Sequence, residues 1–198
     1  MTGVDDAVEA IADGQLVIYP TETVYGLGGD ALNPGAVERV FNAKDRPRSN
    51  PIALAVPSIE AAFEYVEADS QTVSFMREFL PGPVTVIVPK KGLVPNALTG
   101  GHETVGVRVP DCKLAQELLE QTPPLTATSA NVSGREPVRT VMALDPTIKR
   151  STTVILDGGE TPGGSSTVVD VSAGRIHRHG RQAAAVEKWL SDHGINPA

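Results

Sequence analysis

The feature that most constrains this chain is a series of short apolar runs, each bounded by proline, glycine or a polar segment. Runs of this length that are rich in Val, Ile and Leu predict buried strands. The predicted strands are 15–19, 52–56, 84–88, 105–109, 125–128, 152–156, 167–171 and 175–177. None approaches the ~20 apolar residues that a membrane-spanning helix needs.

Segments with helical spacing alternate with these strands in the first part of the chain. Residues 4–12 have such spacing, and Asn33 followed by Pro34 is a typical helix start. Further helices are predicted at 59–66, at 73–79, from a cap at Asp111 through Leu119, and around Trp189. Early alternation followed by clustered strands predicts an α/β fold with one mixed sheet, whose pocket-forming loops lie at strand ends. Residues 1–198 are expected to form a single domain.

The net charge of −7 is unevenly distributed. Residues 1–38 contain seven acidic and no basic side chains, whereas the rest of the chain carries acids and bases in equal number. Nonspecific nucleic-acid binders are basic, and single-strand binders need aromatic rings, which are only 4% of this chain. The composition therefore argues against bulk nucleic-acid binding. It does not exclude a local cationic pocket for a small anion.

The cysteine and histidine content limits metal and redox chemistry. A single cysteine, Cys112, excludes an internal disulfide and a cysteine-based zinc site. The four histidines lack the spacing of a metal motif, so no structural metal site is expected. The N-terminus has no charged-then-apolar leader, and we expect a cytoplasmic protein without membrane contact.

Polar segments accompany several predicted strands. They are 19–28, 44–51, 126–134, 163–170 and 176–180. Each could be an ordinary turn or connecting loop, but together they resemble a pocket for phosphate and carboxylate groups. No nucleophile elbow or catalytic triad is recognisable, so this pocket would position anions electrostatically, as phosphoryl or nucleotidyl transfer requires.

Two of the cationic segments permit more than one interpretation. Lys44, Arg46 and Arg48 lie in a proline-bounded loop that suits phosphates, but it could also be a solvated loop paired with the acidic N-terminal segment. Arg108 lies in an apolar strand on the same face as Thr104 and Gly106. Its anionic partner would be either an internal carboxylate such as Asp170 or the carboxylate of a substrate.

Seven blocks of this sequence occur in the order found in the YrdC-like family, the threonylcarbamoyl-AMP synthases of tRNA modification. The blocks are YPTETVYGLG (19–28), KDRPRSNP (44–51), PGPVT (81–85), VGVRVPD (105–111), SANVSG (129–134), STVVD (166–170) and RHG (178–180). The resemblance covers roughly residues 5–182. It implies an open, twisted mixed α/β sheet with flanking helices and a concave cationic cavity.

The resemblance also implies a reaction. L-threonine, bicarbonate or carbon dioxide, and ATP would give threonylcarbamoyl-AMP and pyrophosphate, making the protein a nucleotidyltransferase. A downstream transferase complex would carry the threonylcarbamoyl group to the adenosine beside the tRNA anticodon, so tRNA would be involved only indirectly. Mg²⁺ would arrive with the triphosphate and have few protein ligands.

The family's functional residues can be transferred where the motifs match. The tetrad that resembles a catalytic ATP-phosphate clamp is Lys44, Arg46, Ser129 and Asn131. The further positions implied in ATP binding are Asn50, Thr104 and Arg178. The positions implied in threonine binding are Thr23, Arg108 and Ser166, with Arg108 on the threonine carboxylate.

The sequence departs from the family at a few points. Cys112 and Ala55 stand where members often carry histidine, and the additional C-terminal domain of longer members is not expected here. Two other functions are compatible with the resemblance. One is a non-catalytic RNA-binding or ribosome-maturation module, and the other is the carbamoyl-transfer domain of hydrogenase maturation, which normally lies in a much longer, cysteine-containing chain.

Overall fold

The computed structural model of the protein describes residues 3–195, in which short strands and helices are interspersed. The strands are Val17–Tyr19 (β1), Gly26–Gly28 (β2), Ala53–Ala55 (β3), Val84–Pro89 (β4), Thr104–Arg108 (β5), Leu125–Ala127 (β6), Val154–Ile155 (β7), Thr167–Asp170 (β8) and Arg175–Arg178 (β9). The helices are Val4–Ala12 (α1), Pro34–Lys44 (α2), Ile59–Ala62 (α3), Ser70–Phe79 (α4), Asn96–Thr99 (α5), Lys113–Leu119 (α6), Pro146–Arg150 (α7) and Ala183–Asp192 (α8).

The strands form two mixed sheets, whereas the sequence predicted one. The larger sheet has the order β6-β3-β5-β4-β8-β9, and the smaller has the order β2-β1-β7. Each contains parallel and antiparallel pairs, so the predicted mixed α/β class is confirmed. The sheets meet where β2 approaches β6 through isolated bridges, Gly26 to Ser129 and Asp30 to Leu125, instead of through a continuous ladder.

The strand β2 was not predicted, because its glycines were interpreted as part of a polar loop. Packing explains them. A Cβ atom would lie 2.9 Å from the Tyr19 ring at Gly28 and 3.1 Å from it at Gly26. Tyr19 is buried and donates a hydrogen bond to the Thr126 carbonyl across 3.3 Å. The two glycines therefore allow β2 to lie directly on an aromatic ring that reaches the larger sheet.

The helix starts were predicted with mixed success. Asn33 caps α2 as expected, since its side chain accepts hydrogen bonds from the Gly35 and Ala36 amides. The predicted cap at Asp111 is wrong. The residue before α6 is Cys112, which makes no side-chain capping bond, so Asp111 lies one position too early to reach the first free amides.

Helix packing on the sheets leaves one face of β5 free to line a cavity. Apolar residues of α1 and α6 form a cluster with β1 and β7, and α2, α4 and α8 contribute to a larger cluster with the six-stranded sheet. Val105 and Val107 of β5 are buried in that larger cluster. Thr104, Gly106 and Arg108 alternate with them, as the strand period predicted, and form part of a cavity wall.

Gly180 packs directly against the backbone of Ser165 and Ser166, just before β8. A Cβ atom at Gly180 would lie 2.3 Å from the Ser165 carbonyl oxygen, which no side chain can avoid without moving backbone. We expect Gly180→Ala to lower the free energy of unfolding by at least about 2 kcal/mol in urea titrations. Gly92→Ala is the matched control, because its Cβ atom would have nothing within 4 Å and should change stability by less than about 0.5 kcal/mol. Equal stabilities of the two variants would contradict this packing.

Candidate active site

A cavity of about 330 Å³ opens between the two sheets. Its walls include the end of β1, the connection from β1 to β2, and β5. The segment after β6 and the segment before β8 also line it. The charged side chains among its lining residues are Arg46, Arg108 and Arg178, and no aspartate or glutamate lines it within residues 3–195. The cavity is therefore cationic, although the chain as a whole is acidic.

Arg108 is the most enclosed of these cations. Its Nη2 donates to Glu22 Oε1 at 2.7 Å and to Thr23 Oγ1 at 2.6 Å, with Thr21 Oγ1 at 3.4 Å. The internal partner is thus Glu22 and not Asp170, whose carboxylate accepts from the Ala173 amide instead. The reason is topological, since β4 separates β8 from β5.

The ion pair leaves part of the Arg108 guanidinium free. Among the described residues, Arg108 Nε and Glu22 Oε2 are buried without a hydrogen-bond partner. Arg108 Nη1 also makes no hydrogen bond there, but it is not among the buried atoms. Nη1 is therefore the atom of this guanidinium that a ligand in the cavity can reach.

The residues implied in threonine binding lie together. Thr23, Arg108 and Ser166 all line the cavity, and both hydroxyl residues are almost fully buried. Ser166 Oγ lies 2.9 Å from Thr85 Oγ1 and accepts from Arg178 Nη2 at 2.8 Å. Thr85 was not singled out from the sequence, because a threonine within an apolar strand resembles ordinary strand composition.

Arg178 and Arg46 lie in the same cavity and are held by backbone carbonyls. Arg178 Nε donates to the Ser166 carbonyl at 3.0 Å, and Arg46 donates to the carbonyls of Asn50 and Pro51. Burial lowers the pKa of both arginines, and the charges of Arg108 and Arg46 lower the pKa of Arg178 further. Three cations that repel one another without an acidic lining residue favour binding of an anion.

Lys44 lies behind the cavity wall instead of in the cavity. It is 1% exposed, and its Nζ donates to the carbonyls of Ser129 and Asn131, the latter at 2.7 Å. The Lys44 carbonyl in turn accepts from the Ser133 amide at 2.7 Å. Burial, reinforced by the nearby Arg46 charge, lowers the pKa of Lys44 to about 7. Lys44 thus fixes the loop that carries Ser129, which does line the cavity.

The remaining predicted residues are divided between the cavity and its surroundings. Thr104 lines the cavity, whereas Asn131 and Asn50 do not. Asn131 is buried, with its amide nitrogen on the carbonyls of Val132 and Arg135 and its Oδ1 unpartnered among the described residues. Asn50 is exposed and contributes only its carbonyl to Arg46.

Arg48 follows the alternative interpretation of the basic loop. It pairs with Glu38, which belongs to the acidic N-terminal segment, and it donates to Asn42 Oδ1 at 2.6 Å. Its guanidinium lies 5.1 Å from the centre of the Phe41 ring. This loop therefore contributes Arg46 to the cavity and directs Arg48 to the surface of α2.

Residues 3–195 contain neither a metal-binding cluster nor a membrane-spanning helix. No group of three or more His, Cys, Asp or Glu side chains in that range could hold a metal ion. No helix in the same range is long and apolar enough to cross a membrane.

We expect Glu22→Ala to destabilise the protein far more than Glu38→Ala. The side chains of Glu22 and Arg108 are 11% and 13% exposed, so the substitution leaves a buried cation and should cost about 3 kcal/mol. The Glu38–Arg48 pair is about half exposed, and its loss should cost less than about 1 kcal/mol. Urea unfolding of both variants measures the difference, and equal costs would contradict a buried pair at the cavity floor.

We also expect Lys44 to make stability depend on pH. Above pH 7 the folded amine is mostly neutral, while the lysine of the unfolded chain keeps its proton until about pH 10.5. The unfolded state then binds more protons, so the free energy of unfolding should rise with pH, by up to about 1.4 kcal/mol per unit between pH 7.5 and 9.5. In Lys44→Met this contribution to the slope should disappear. An unchanged slope in the variant would contradict the lowered pKa of Lys44.

The sequence is similar to those of known proteins. A family model named Sua5/yciO/yrdC and described as telomere recombination matches residues 9–180. The chain is 37% identical to a threonylcarbamoyl-AMP synthase of Pyrococcus abyssi over 95% of its own length, but it spans only 57% of that relative. It is 34% identical to the threonylcarbamoyl-AMP synthase of Photobacterium profundum, covering 82% of this chain and 90% of the relative.

A solved structure gives the same result in three dimensions. The crystal structure of P. abyssi Sua5 complexed with L-threonine matches with a TM-score of 0.88 and 35% identity. The match covers 98% of this chain and 58% of that one. Both the sequence and the fold therefore place this chain in the Sua5/YciO/YrdC family.

Proposed function

We propose that the protein is an L-threonylcarbamoyladenylate synthase, a nucleotidyltransferase that acts on L-threonine, bicarbonate or carbon dioxide, and ATP. The single observation that carries the proposal is the cavity itself, in which three arginines and several hydroxyl groups converge and which no acidic residue within 3–195 lines. Threonine and ATP both bring anionic groups that such a cavity favours. The P. abyssi neighbour, which was solved with L-threonine, supports the same assignment.

The reaction requires positioning more than covalent catalysis. The threonine amine adds to carbon dioxide and loses a proton, which gives a carbamate; bicarbonate reaches the same point with loss of water. A carbamate oxygen then bonds to the α-phosphorus of ATP, and the bond to the pyrophosphate oxygen breaks. Charge builds up on the phosphoryl oxygens in this step, where fixed cations are most effective.

The Arg108 end of the cavity suits threonine. Arg108 Nη1 is available for the carboxylate, while Glu22 and Thr23 hold the rest of the guanidinium in place. Ser166, held by Thr85 and Arg178, presents a further hydroxyl beside it. We propose that these contacts orient the amine towards the phosphates.

The triphosphate would occupy the region of Arg46 and Arg178. Ser129 and Thr104 line the same cavity and can donate hydroxyl hydrogen bonds. Lys44 and Asn131 of the family tetrad would lie outside the cavity. Lys44 would fix the backbone that carries Ser129 by donating to the Ser129 and Asn131 carbonyls. In this proposal, Lys44 positions the phosphate site and need not touch the nucleotide.

Magnesium would be bound mainly by the phosphates. Among the described residues, those that line the cavity offer hydroxyls and no carboxylate, which fits a Mg²⁺ ion that keeps several waters and enters with ATP. We propose further that a separate transferase in the cytoplasm consumes the adenylate and delivers the threonylcarbamoyl group to tRNA. The protein itself would contact tRNA only indirectly.

The activity can be measured directly. Purified protein with ATP, Mg²⁺, bicarbonate and L-threonine should release pyrophosphate and form threonylcarbamoyl-AMP, and omission of threonine should stop both. Pyrophosphate release that does not need threonine would contradict the proposal. So would tight, salt-sensitive RNA binding without ATP turnover, which is the behaviour of an RNA-binding module.

Two arginines of one loop provide a matched pair of variants. Arg46→Ala should lower the rate of threonylcarbamoyl-AMP formation by about 100-fold or more, because it removes a fixed cation from the cavity. Arg48→Ala should retain the activity, since Arg48 pairs with Glu38 outside the cavity. Circular dichroism would check that both variants are folded. Equal activities of the two would exclude a role for Arg46 on the phosphates.

A further inference from the structure

His102 lines the cavity at a position that neither the motifs nor the proposed mechanism accounts for. The other rings in the wall belong to Tyr19 and Tyr25, which are at most 1% exposed and have their hydroxyls bound to other groups. The ring of His102 is exposed and makes no hydrogen bond, ion pair or ring contact with the residues that the structure describes. It is the one lining ring in residues 3–195 that is free to contact a ligand.

The backbone around His102 holds this ring at the cavity rim. Gly100 and Gly101 both adopt left-handed conformations, and the His102 amide donates to the Thr99 carbonyl at 3.2 Å. After His102 the chain enters β5, where Thr104 pairs with Pro89. The ring is therefore presented by a turn fixed on both sides, which is a favourable arrangement for a binding contact.

The strand β5 places His102 at the end of the cavity opposite Arg108. Thr104 and Arg108 are four residues apart, so their Cα atoms lie about 13 Å from each other. Hydroxyl groups and Arg178 surround the Arg108 end. The wall near His102 includes the apolar residues Ile52 and Ala53, next to the Arg46 guanidinium, which donates to the Pro51 carbonyl. A nucleotide whose phosphates approach the arginines would place its base towards these apolar residues.

We propose that His102 stacks on the purine base of the bound nucleotide. This rests on the proposed function, because it assumes that ATP occupies the cavity. A flat ring beside apolar wall residues suits an aromatic base better than a phosphate. His102 would thus contact the base, whereas the arginines and hydroxyls of the cavity contact phosphates and a carboxylate.

The test measures ligand affinity in the absence of threonine, by calorimetry with MgATP and, separately, with magnesium tripolyphosphate. His102→Ala should raise the Kd for ATP at least about fivefold, the lower limit for loss of a base-stacking contact. Its Kd for tripolyphosphate should not change. His102→Phe retains a flat ring and should bind ATP as the wild type does. His177→Ala, which removes an exposed histidine outside the cavity, should leave both affinities unchanged.

The outcomes separate this inference from the proposed function. Unchanged ATP affinity in His102→Ala overturns the inference alone, provided that the wild type forms threonylcarbamoyl-AMP. Equal weakening of ATP and tripolyphosphate also overturns it, because the ring would then contact phosphate. A wild type that binds ATP but makes no adenylate refutes the proposed function while the His102 comparison stands. A wild type that binds no ATP refutes both.

Discussion

The buried contact between Arg108 and the Glu22–Thr23 turn is the interaction on which the cavity depends. Arg108 lies on β5 of the larger sheet, while Glu22 and Thr23 lie in the connection between two strands of the smaller one. The contact therefore joins the sheets at the cavity, in addition to the isolated bridges and the Tyr19 hydrogen bond that connect β1 and β2 to β6. A buried guanidinium is stable there because its charge and two of its donor bonds are satisfied within the protein.

This contact also explains how an acidic chain encloses a cationic cavity. Glu22 and Glu38 both come from the acidic N-terminal segment, and each pairs with an arginine from later in the chain. Glu38 pairs with Arg48 on the surface of α2. Glu22 pairs with Arg108 but does not itself line the cavity. The acids thus act as counter-ions around the cavity, and within residues 3–195 Arg46 and Arg178 face its interior without a carboxylate partner. The net charge of the chain does not report on this local arrangement.

Much of the fold was predictable because short-range physics determines it. Hydrophobic periodicity located most strands and helices, and the Asn33 side chain capped α2 as its chemistry requires. The strand β2 was missed because three glycine-rich residues carry no apolar signal, and their reason for being glycine is the ring of Tyr19. That requirement depends on tertiary packing, which single-sequence patterns do not contain.

The site was predictable to a smaller extent. Motif resemblance selected Arg46, Arg108, Arg178, Thr23 and Ser166, and the fold brings all of them to one cavity. It could not predict that Lys44 lies behind the wall, because a motif records which residues occur and not which way they point. Glu22 and His102 were missed for a related reason. The first was counted only as an acid, and the second was considered only as a possible metal ligand.

The central claim is that one cavity holds the threonine carboxylate on Arg108 and the triphosphate on Arg46 and Arg178. A crystal structure with L-threonine and a non-hydrolysable ATP analogue tests it most directly. We expect the carboxylate within hydrogen-bond distance of Arg108 Nη1, the amine facing the α-phosphate, and the phosphates between the other two arginines. A carboxylate bound away from Arg108, or a nucleotide bound outside this cavity, would contradict it.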